Sequence, residues 1–252
     1  MDNQDKSMFK IKVNVKNPGQ FFACCGITEV ANRLYGDVCG WFEGDSFCCS
    51  NNNGNIYLSS VLDSIKNIKT KKNGKGEHIF IKEPFEMVLD WWLNDENKLK
   101  TWSGKMDEDV VLRSMCKAID PANEDPFNQS QVVYKDKKKK CEPFYFDSRR
   151  GDNSNKIDVG FSTNNVKMES IAFPVVEALC FIGLQRNWPQ NISKERKFEY
   201  CTWNYQLPVE LIVLAVCGML SQFKYQKYCF ERVNRSGIKK AYGAFTSANF
   251  AS

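Results

Sequence analysis

The chain has 252 residues, of which 42% are hydrophobic and 13% aromatic, which is enough for one large or two small packed domains and excludes a disordered protein. Residues 130–252 carry 19 Lys and Arg against 11 Asp and Glu, whereas residues 1–129 carry 16 against 19. A basic second half predicts a polyanionic partner on one side, and the alternative is an unevenly charged solvated surface. Because no apolar stretch reaches the roughly 18–20 residues of a membrane span, no membrane partner is expected.

The cysteine and histidine content excludes several kinds of site. The 11 cysteines are odd in number, follow no secretory leader and lie partly in apolar runs such as "VVEALCFIGL". This usage favours free, buried thiols in a cytoplasmic protein over a disulfide framework. With one histidine, His78, and no C-x-x-C, the usual zinc patterns are missing, as are the glycine-rich phosphate loops. We therefore expect no catalytic residue, no bound metal and no cofactor.

The chain opens with a strand followed by a helix. The run "FKIKVNV" (9–15) alternates apolar and polar residues, as a half-buried strand does. Asn17 and Pro18 then predict a helix N-cap and first helical residue, and Gly36 predicts the C-cap. Asn53-Gly54, between two β-prone runs, predicts a hairpin.

The remaining elements are predicted from apolar runs. Residues 61–130 are expected to be mostly helical, with "FEMVLDWWLN" and "DEDVVLRSMCKAI" as the strongest pieces. The segments "EPFYFDSRRG" and "KIDVGFS" are predicted strands, and "FPVVEALCFIGLQRNW" is a helix starting near Pro174. The segments "FEYCTWNYQLPVELIVLAVCG" and "KYQKYCFERVN" are predicted to be rich in β-structure.

This order predicts an α+β fold with a ferredoxin-like β-α-β-β-α-β core that carries a mostly helical insertion. The first part of the core is expected at residues 1–60 and the insertion at 61–142. The second part, with a basic, β-rich C-terminus, is expected at 143–252.

Basic and aromatic side chains of the second half are the candidate ligands of a nucleic acid. Guanidinium groups at the "SRRG" turn suit phosphates, and the segment 224–245 interleaves cations with rings on which unpaired bases can stack. Its alternative is an exposed edge strand protected by lysines. Gln20, in the first helical turn, is a further candidate for phosphate contact. The candidate phosphate ligands are Arg149, Arg150, Lys156, Arg235, Lys239 and Lys240, and the candidate stacking residues are Tyr225, Tyr228 and Tyr242.

A cluster of three aspartates in the sequence leaves an enzymatic alternative open. Asp147, Asp152 and Asp158, with Lys156, could bind Mg²⁺ and cleave phosphodiesters, or His78 could take part in RNA processing. The simpler interpretation is a turn whose charges pair with one another or hold a backbone phosphate.

Three stretches together resemble a known family. They are "NPGQFFACCGITEVANRLYGDVCGWF", "PFYFDSRRG…KIDVGFS" and "AFPVVEALCFIGLQR", and they are similar to the Csb-type (Cas-eight-like) subunit of type I-G, formerly I-U, CRISPR–Cas systems. The matching positions are Asn17, Pro18, Gln20, Phe21, Phe22, Gly26, Asp147, Arg149, Arg150, Gly151, Asp158, Gly160 and Phe161.

The resemblance implies a RAMP-like, non-catalytic subunit of a crRNA-guided surveillance (Cascade-like) complex in antiviral defence. Such a subunit assembles with other Cas subunits, namely the backbone and handle-binding ones, and helps to hold crRNA or target DNA. Cutting belongs to a separate protein. A Cas-five-like subunit that caps the crRNA 5′ handle stays open as an alternative, as does a protein–protein scaffold.

Overall fold

The computed structural model describes residues 8–74, 77–93, 98–103, 106–136, 139–149, 170–192, 196–220, 226–234 and 243–251. These residues form a mixed α+β structure with several antiparallel sheets, so the predicted class is confirmed. The helices are α1 (Pro18–Tyr35), α2 (Leu58–Lys66), α3 (Glu108–Lys117), α4 (Pro174–Gly183) and α5 (Val209–Val216). In the described part of the chain, no helix is long and apolar enough to cross a membrane.

The strands follow the chain in this order: β1 (Met8–Lys12), β2 (Val38–Glu43), β3 (Ser46–Asn51), β4 (Lys69–Lys72), β5 (Ile79–Glu83), β6 (Met87–Leu89), β7 (Gln131–Val132), β8 (Ile171–Ala172), β9 (Gln190–Asn191), β10 (Lys197–Cys201), β11 (Leu207–Pro208), β12 (Lys227–Asn234), β13 (Gly243–Phe245) and β14 (Asn249–Phe250). The first sheet has the order β1-β3-β2-β11, and the second has the order β13-β12-β10-β9, with β14 also paired to β12. Two smaller sheets have the order β4-β5-β6 and β7-β8.

Helix α1 begins and ends where its capping residues predict. The Asn17 side chain accepts a hydrogen bond from the Gly19 N–H, and Pro18 is the first helical residue. At the other end Gly36 has a φ of +71°, a conformation that glycine adopts without a steric penalty. The helix is therefore defined by local sequence at both ends.

Helix α1 lies at the centre of the core. Its rings meet those of the second sheet: the Phe21 and Tyr200 centroids are 4.2 Å apart and stacked. Among the hydrogen bonds that join the second half of the chain to the first are those from Tyr200 Oη to the Val15 carbonyl (2.7 Å) and from Trp203 Nε1 to the Gly40 carbonyl (2.8 Å). The core thus depends on residues that are far apart in sequence.

Several predicted elements are wrong in the described residues. The hairpin connects β2 to β3 through Gly44, with a φ of +61°, and Asn53-Gly54 leads towards α2 instead. The span 61–142 contains the β4-β5-β6 sheet as well as helices, and "FEMVLDWWLN" provides β6. A short apolar run does not distinguish the 3.6-residue period of a helix from the two-residue period of a strand. Here Met87 and Leu89 are buried while Val88 is 42% exposed, which is the pattern of a strand.

Two further segments differ from their predicted structure. In the run "LPVELIVLAV", predicted as β-rich, only Leu207–Pro208 form a strand, and the rest forms α5, because Val209, Ile212 and Val216 recur at helical spacing and are buried. Residues 141–147 are not a strand, since Tyr145 has a φ of +65° and interrupts the extended chain. By contrast, α4 starts at Pro174 as predicted.

Candidate nucleic-acid interface

A buried polar junction joins the start of α1 to the segment before Arg149. Asn17 is fully buried, and its Oδ1 accepts hydrogen bonds from the backbone N–H groups of Gly19 and Ser148, each at 3.1 Å. Its Nδ2 donates to Asp147 Oδ1 at 2.8 Å. A Cβ on Gly19 would lie 2.6 Å from the Phe146 carbonyl oxygen, so only glycine allows this approach. One side chain therefore holds together two segments that are 130 residues apart.

Helix α4 completes the junction through Glu177. This side chain is 2% exposed and accepts hydrogen bonds from the Asp147 N–H (3.1 Å) and the Phe146 N–H (3.4 Å). Burial, with a smaller contribution from the Asp147 charge, outweighs the backbone donors and raises the pKa of Glu177 to about 8. The buried carboxyl group of Glu177 therefore holds the non-helical, non-strand segment at Phe146 and Asp147 against α4.

Arg149 is bound within the protein. Its Nε and Nη2 donate to the two oxygens of Asp147 at 3.0 and 2.6 Å. Nη2 also donates to the Phe127 carbonyl at 2.6 Å, and Nη1 donates to Asn128 Oδ1. The guanidinium carbon lies 3.7 Å from the centre of the Phe173 ring. The side chain is 29% exposed, and this arrangement makes Arg149 a structural partner of Asp147 rather than an open phosphate ligand.

The two other predicted ligands in described positions are buried. Gln20 is 3% exposed, and its Oε1 accepts from the Asn14 N–H at 2.7 Å, so it stabilises the turn before α1. Tyr228 is 1% exposed, stacks on Tyr200 with the ring centres 5.6 Å apart and donates its hydroxyl to Gln226. In this arrangement Tyr228 has no open face for a base.

Tyr228 is buried, and not exposed as predicted, because side chains alternate between the two faces of a strand. In β12 the rings of Tyr228 and Phe230 point into the core, whereas Lys227 points outward and pairs with Glu199 at 3.4 Å. Lys227 and these two rings thus lie on opposite faces of the sheet. Sequence alternation therefore does not place them beside each other.

Most predicted ligands lie outside the described residues. They are Arg150, Lys156, Tyr225, Arg235, Lys239, Lys240 and Tyr242, together with Asp152 and Asp158 of the alternative metal site. The described residues that flank the segments 150–169 and 235–242 do come together, since Ser247 Oγ donates to Ser148 Oγ at 3.1 Å. The two segments that carry most of the candidate phosphate ligands therefore connect to the same polar junction.

An exposed cation and ring at this junction are not among the sequence-predicted ligands. Lys16 directly precedes Asn17, and its Nζ lies 4.7 Å from the centre of the Phe250 ring, which is 61% exposed. The Ala248 N–H donates to the Lys16 carbonyl at 2.7 Å and holds the two segments together. No local signal marks Phe250, because its partner is more than 200 residues away in sequence. A ring and a cation in this arrangement can stack a base and contact a phosphate.

The described part of the chain contains no assembled site for the alternative metal-dependent or His78-dependent nuclease. No group of three or more His, Cys, Asp and Glu side chains there could hold a metal ion. The His78 ring contacts Phe80 edge-on, with the centres 4.4 Å apart. Nine of the 11 cysteines are buried, as predicted, and Cys217 and Cys229 are partly exposed.

No protein-family model, curated protein or solved structure matches this chain.

Proposed function

We propose that this protein is a non-catalytic, nucleic-acid-binding subunit of a crRNA-guided type I CRISPR surveillance complex, where it helps to hold crRNA or target DNA. One observation carries the proposal. The described parts of the three sequence stretches behind the family resemblance meet in one junction, through Asn17, Asp147 and Glu177. A motif that characterises a family is expected to form one structural unit, and this convergence meets that expectation.

In the same proposal, β1, α1, β2 and β3 are the first half of a ferredoxin-like, RAMP-like unit. The strand order β1-β3-β2, with α1 connecting β1 to β2, supports this because it is the order of a split β-α-β unit. A complete unit has its fourth strand beside β1. In the described residues β1 pairs with β3 alone, and β11 joins the opposite edge at β2.

The binding chemistry of this proposal is that of cations in the two segments whose flanking residues meet at the junction. Arg150, Lys156, Arg235, Lys239 and Lys240 contact phosphates, and Lys16 with Phe250 receives an unpaired base. Support comes from the connection of both ligand-bearing segments to the Ser148–Ser247 contact. Asp147 has both oxygens engaged by Arg149, which favours a structural role over metal catalysis.

Two measurements test this function. Fluorescence anisotropy with a single-stranded RNA oligonucleotide should show binding that weakens steeply with salt, with a logarithmic slope of about −0.7 for each phosphate contact. Lys239→Gln with Lys240→Gln should lower this slope, whereas the control Lys69→Gln with Lys71→Gln on β4 should not. Binding no stronger than that of a neutral protein at low salt would contradict the proposal.

The second measurement addresses the complex. RNA that co-purifies with the tagged protein from its own cells is sequenced. Enrichment of spacer–repeat RNA supports the CRISPR assignment, and recovery limited to 5′-handle fragments favours the Cas-five-like alternative. A sample of unrelated cellular RNA contradicts both.

A further inference from the structure

A cavity of about 620 Å³ lies at the C-terminal end of α1, between that helix, the end of α4 and the outer face of β5 and β6. Its volume is typical of small-molecule sites. Arg33 is 16 residues beyond Asn17, so the cavity lies roughly 24 Å along the helix from the polar junction. It is therefore separate from the polar junction.

A buried carboxylate organises two arginines in this cavity. Glu29 is 3% exposed, and its Oε1 accepts from Arg33 Nε at 3.0 Å and pairs with Arg33 Nη2 at 2.9 Å. Its Oε2 lies 3.3 Å from Arg186 Nε in an ion pair that lacks hydrogen-bond geometry. Two guanidinium charges thus share one carboxylate, which leaves one positive charge without a counter-charge from Glu29.

The walls of the cavity are fixed by hydrogen bonds between side chains and the backbone. Arg33 Nη1 donates to the Glu86 carbonyl at 2.6 Å and ties α1 to the start of β6. Gln185 Oε1 accepts from the N–H groups of Asp90 (2.9 Å) and Trp91 (3.2 Å) and ties α4 to the residues after β6. The cavity is therefore preformed, which lowers the entropy cost of binding.

Two cations at the cavity still have donors to offer. The Arg186 side chain is 39% exposed, and its guanidinium donates no hydrogen bond to another described residue; Lys82, on the outer face of β5, likewise has no acceptor in the described ranges. Beside them, Phe80 and Val88 form a cross-strand pair on that same outer face. The cationic donors of Arg186 and Lys82 thus lie next to an apolar surface formed by Phe80 and Val88.

We infer that this cavity binds a small organic oxyanion, a carboxylate or phosphate ester, whose charged group is held by Arg186 and Lys82 and whose apolar body rests on Phe80 and Val88. Arginine and lysine both recognise such groups, and the planar guanidinium does so with two parallel hydrogen bonds. Among the lining side chains three are positive and two are negative, which leaves one charge for the ligand to neutralise.

Ligand-observed NMR and calorimetry on the full chain test the inference with three probes: phenylacetate, phenyl phosphate and the neutral 2-phenylethanol. At least one of the two anions should bind saturably and more tightly than the alcohol. Preference for one anion over the other identifies the acidic group. If neither anion binds, the inference is overturned.

Three variants test whether anion binding occurs in this cavity or follows from the positive charge of the protein as a whole. Arg186→Gln should weaken anion binding by about tenfold or more, because it removes charge-assisted hydrogen bonds to the anion. Val88→Asp, on an exposed position, should weaken it by repulsion without disturbing the core. The control Arg113→Gln removes an arginine that is ion-paired to Asp109 on α3 and should bind like wild type.

Two outcomes would contradict the small-molecule site. One is wild-type anion affinity in both Arg186→Gln and Val88→Asp. The other is a parallel loss of RNA affinity in Arg186→Gln, which would assign the charge to the nucleic-acid backbone. The RNA-binding function itself is tested at Lys239 and Lys240, so the two proposals can fail independently.

Discussion

Gly26 of α1 and Gly183 of α4 each lie against the backbone of the other helix. A Cβ on Gly26 would be 2.0 Å from the Leu179 carbonyl oxygen, and a Cβ on Gly183 would be 2.1 Å from the Phe22 carbonyl oxygen. These are backbone atoms, so the neighbour cannot yield by changing a side-chain rotamer. The close crossing of α1 and α4 therefore requires glycine at both positions.

The first prediction concerns this crossing. Gly26→Ala or Gly183→Ala should lower the free energy of unfolding by about 2–3 kcal/mol, since overpacking outweighs the intrinsic helix preference for alanine of about 1 kcal/mol. Urea denaturation measures the change. The control Gly54→Ala, where a Cβ meets nothing within 4 Å, should stay within about 0.5 kcal/mol of wild type. Equal midpoints for all three variants would contradict the close crossing.

The second prediction separates two adjacent arginines. Arg149→Gln leaves the buried Asp147 without its guanidinium partner and should lower the free energy of unfolding by about 2–3 kcal/mol, a value reduced from that of a fully buried pair because Arg149 is 29% exposed. Arg150→Gln should instead weaken RNA binding at unchanged stability. Thermal unfolding and anisotropy are measured on both variants, and the reverse pattern would refute this division of roles.

The third prediction follows from the raised pKa of Glu177. Its pKa is about 8 in the folded protein and has an ordinary value of 4.5, so between these values the unfolded chain releases a proton that the folded protein keeps. The free energy of unfolding should therefore fall as the pH rises from about 5 to 8, by about 1 kcal/mol per pH unit. Below pH 4.5 the group no longer contributes to the slope.

Glu177→Gln tests this slope because glutamine has the same shape and does not titrate. The variant should lose this component of the pH dependence, measured as urea midpoints at several pH values. It should also lose about 1–3 kcal/mol at low pH, because its amide faces a backbone N–H that needs an acceptor. Parallel curves for wild type and variant would show that Glu177 does not titrate in this range.

The fourth prediction concerns the exposed ring at the junction. Phe250→Ala should weaken single-stranded RNA binding by about 1–3 kcal/mol if a base stacks on this ring. Tyr57, which is 51% exposed at the start of α2, supplies the matched control Tyr57→Ala, and this variant should retain wild-type affinity. Equal affinity of the two variants would remove Phe250 from the interface.

The fifth prediction concerns thiol reactivity. Burial raises the pKa of all 11 cysteines, so little reactive thiolate is present near neutral pH. In the native protein, iodoacetamide should react slowly and first with Cys217 and Cys229, as mapped by mass spectrometry. In denaturant every cysteine should react. Fast native labelling of Cys24 or Cys25 would contradict the packed environment of α1.

Local chemistry predicted the helix ends well and the sheets poorly. The N-cap at Asn17 and the C-cap at Gly36 depend on backbone groups a few residues away, which the sequence shows directly. The segment "FEMVLDWWLN" has apolar residues compatible with either period, and it becomes β6 because Ile79–Ile81 of β5 offers hydrogen bonds. Whether this segment becomes a helix or a strand depends on its partner strand, and the segment's own sequence does not determine it.

For the candidate site, the sequence by itself determined which chemistry is available: a basic second half, one histidine, no metal pattern and the limits of α1. Only the tertiary structure decided which of these side chains are exposed. It buries Gln20 and Tyr228, engages Arg149 with Asp147, and brings Lys16 to Phe250. The physical reason is that exposure and pairing are set by contacts between residues up to 234 positions apart, for which one-dimensional spacing carries no signal.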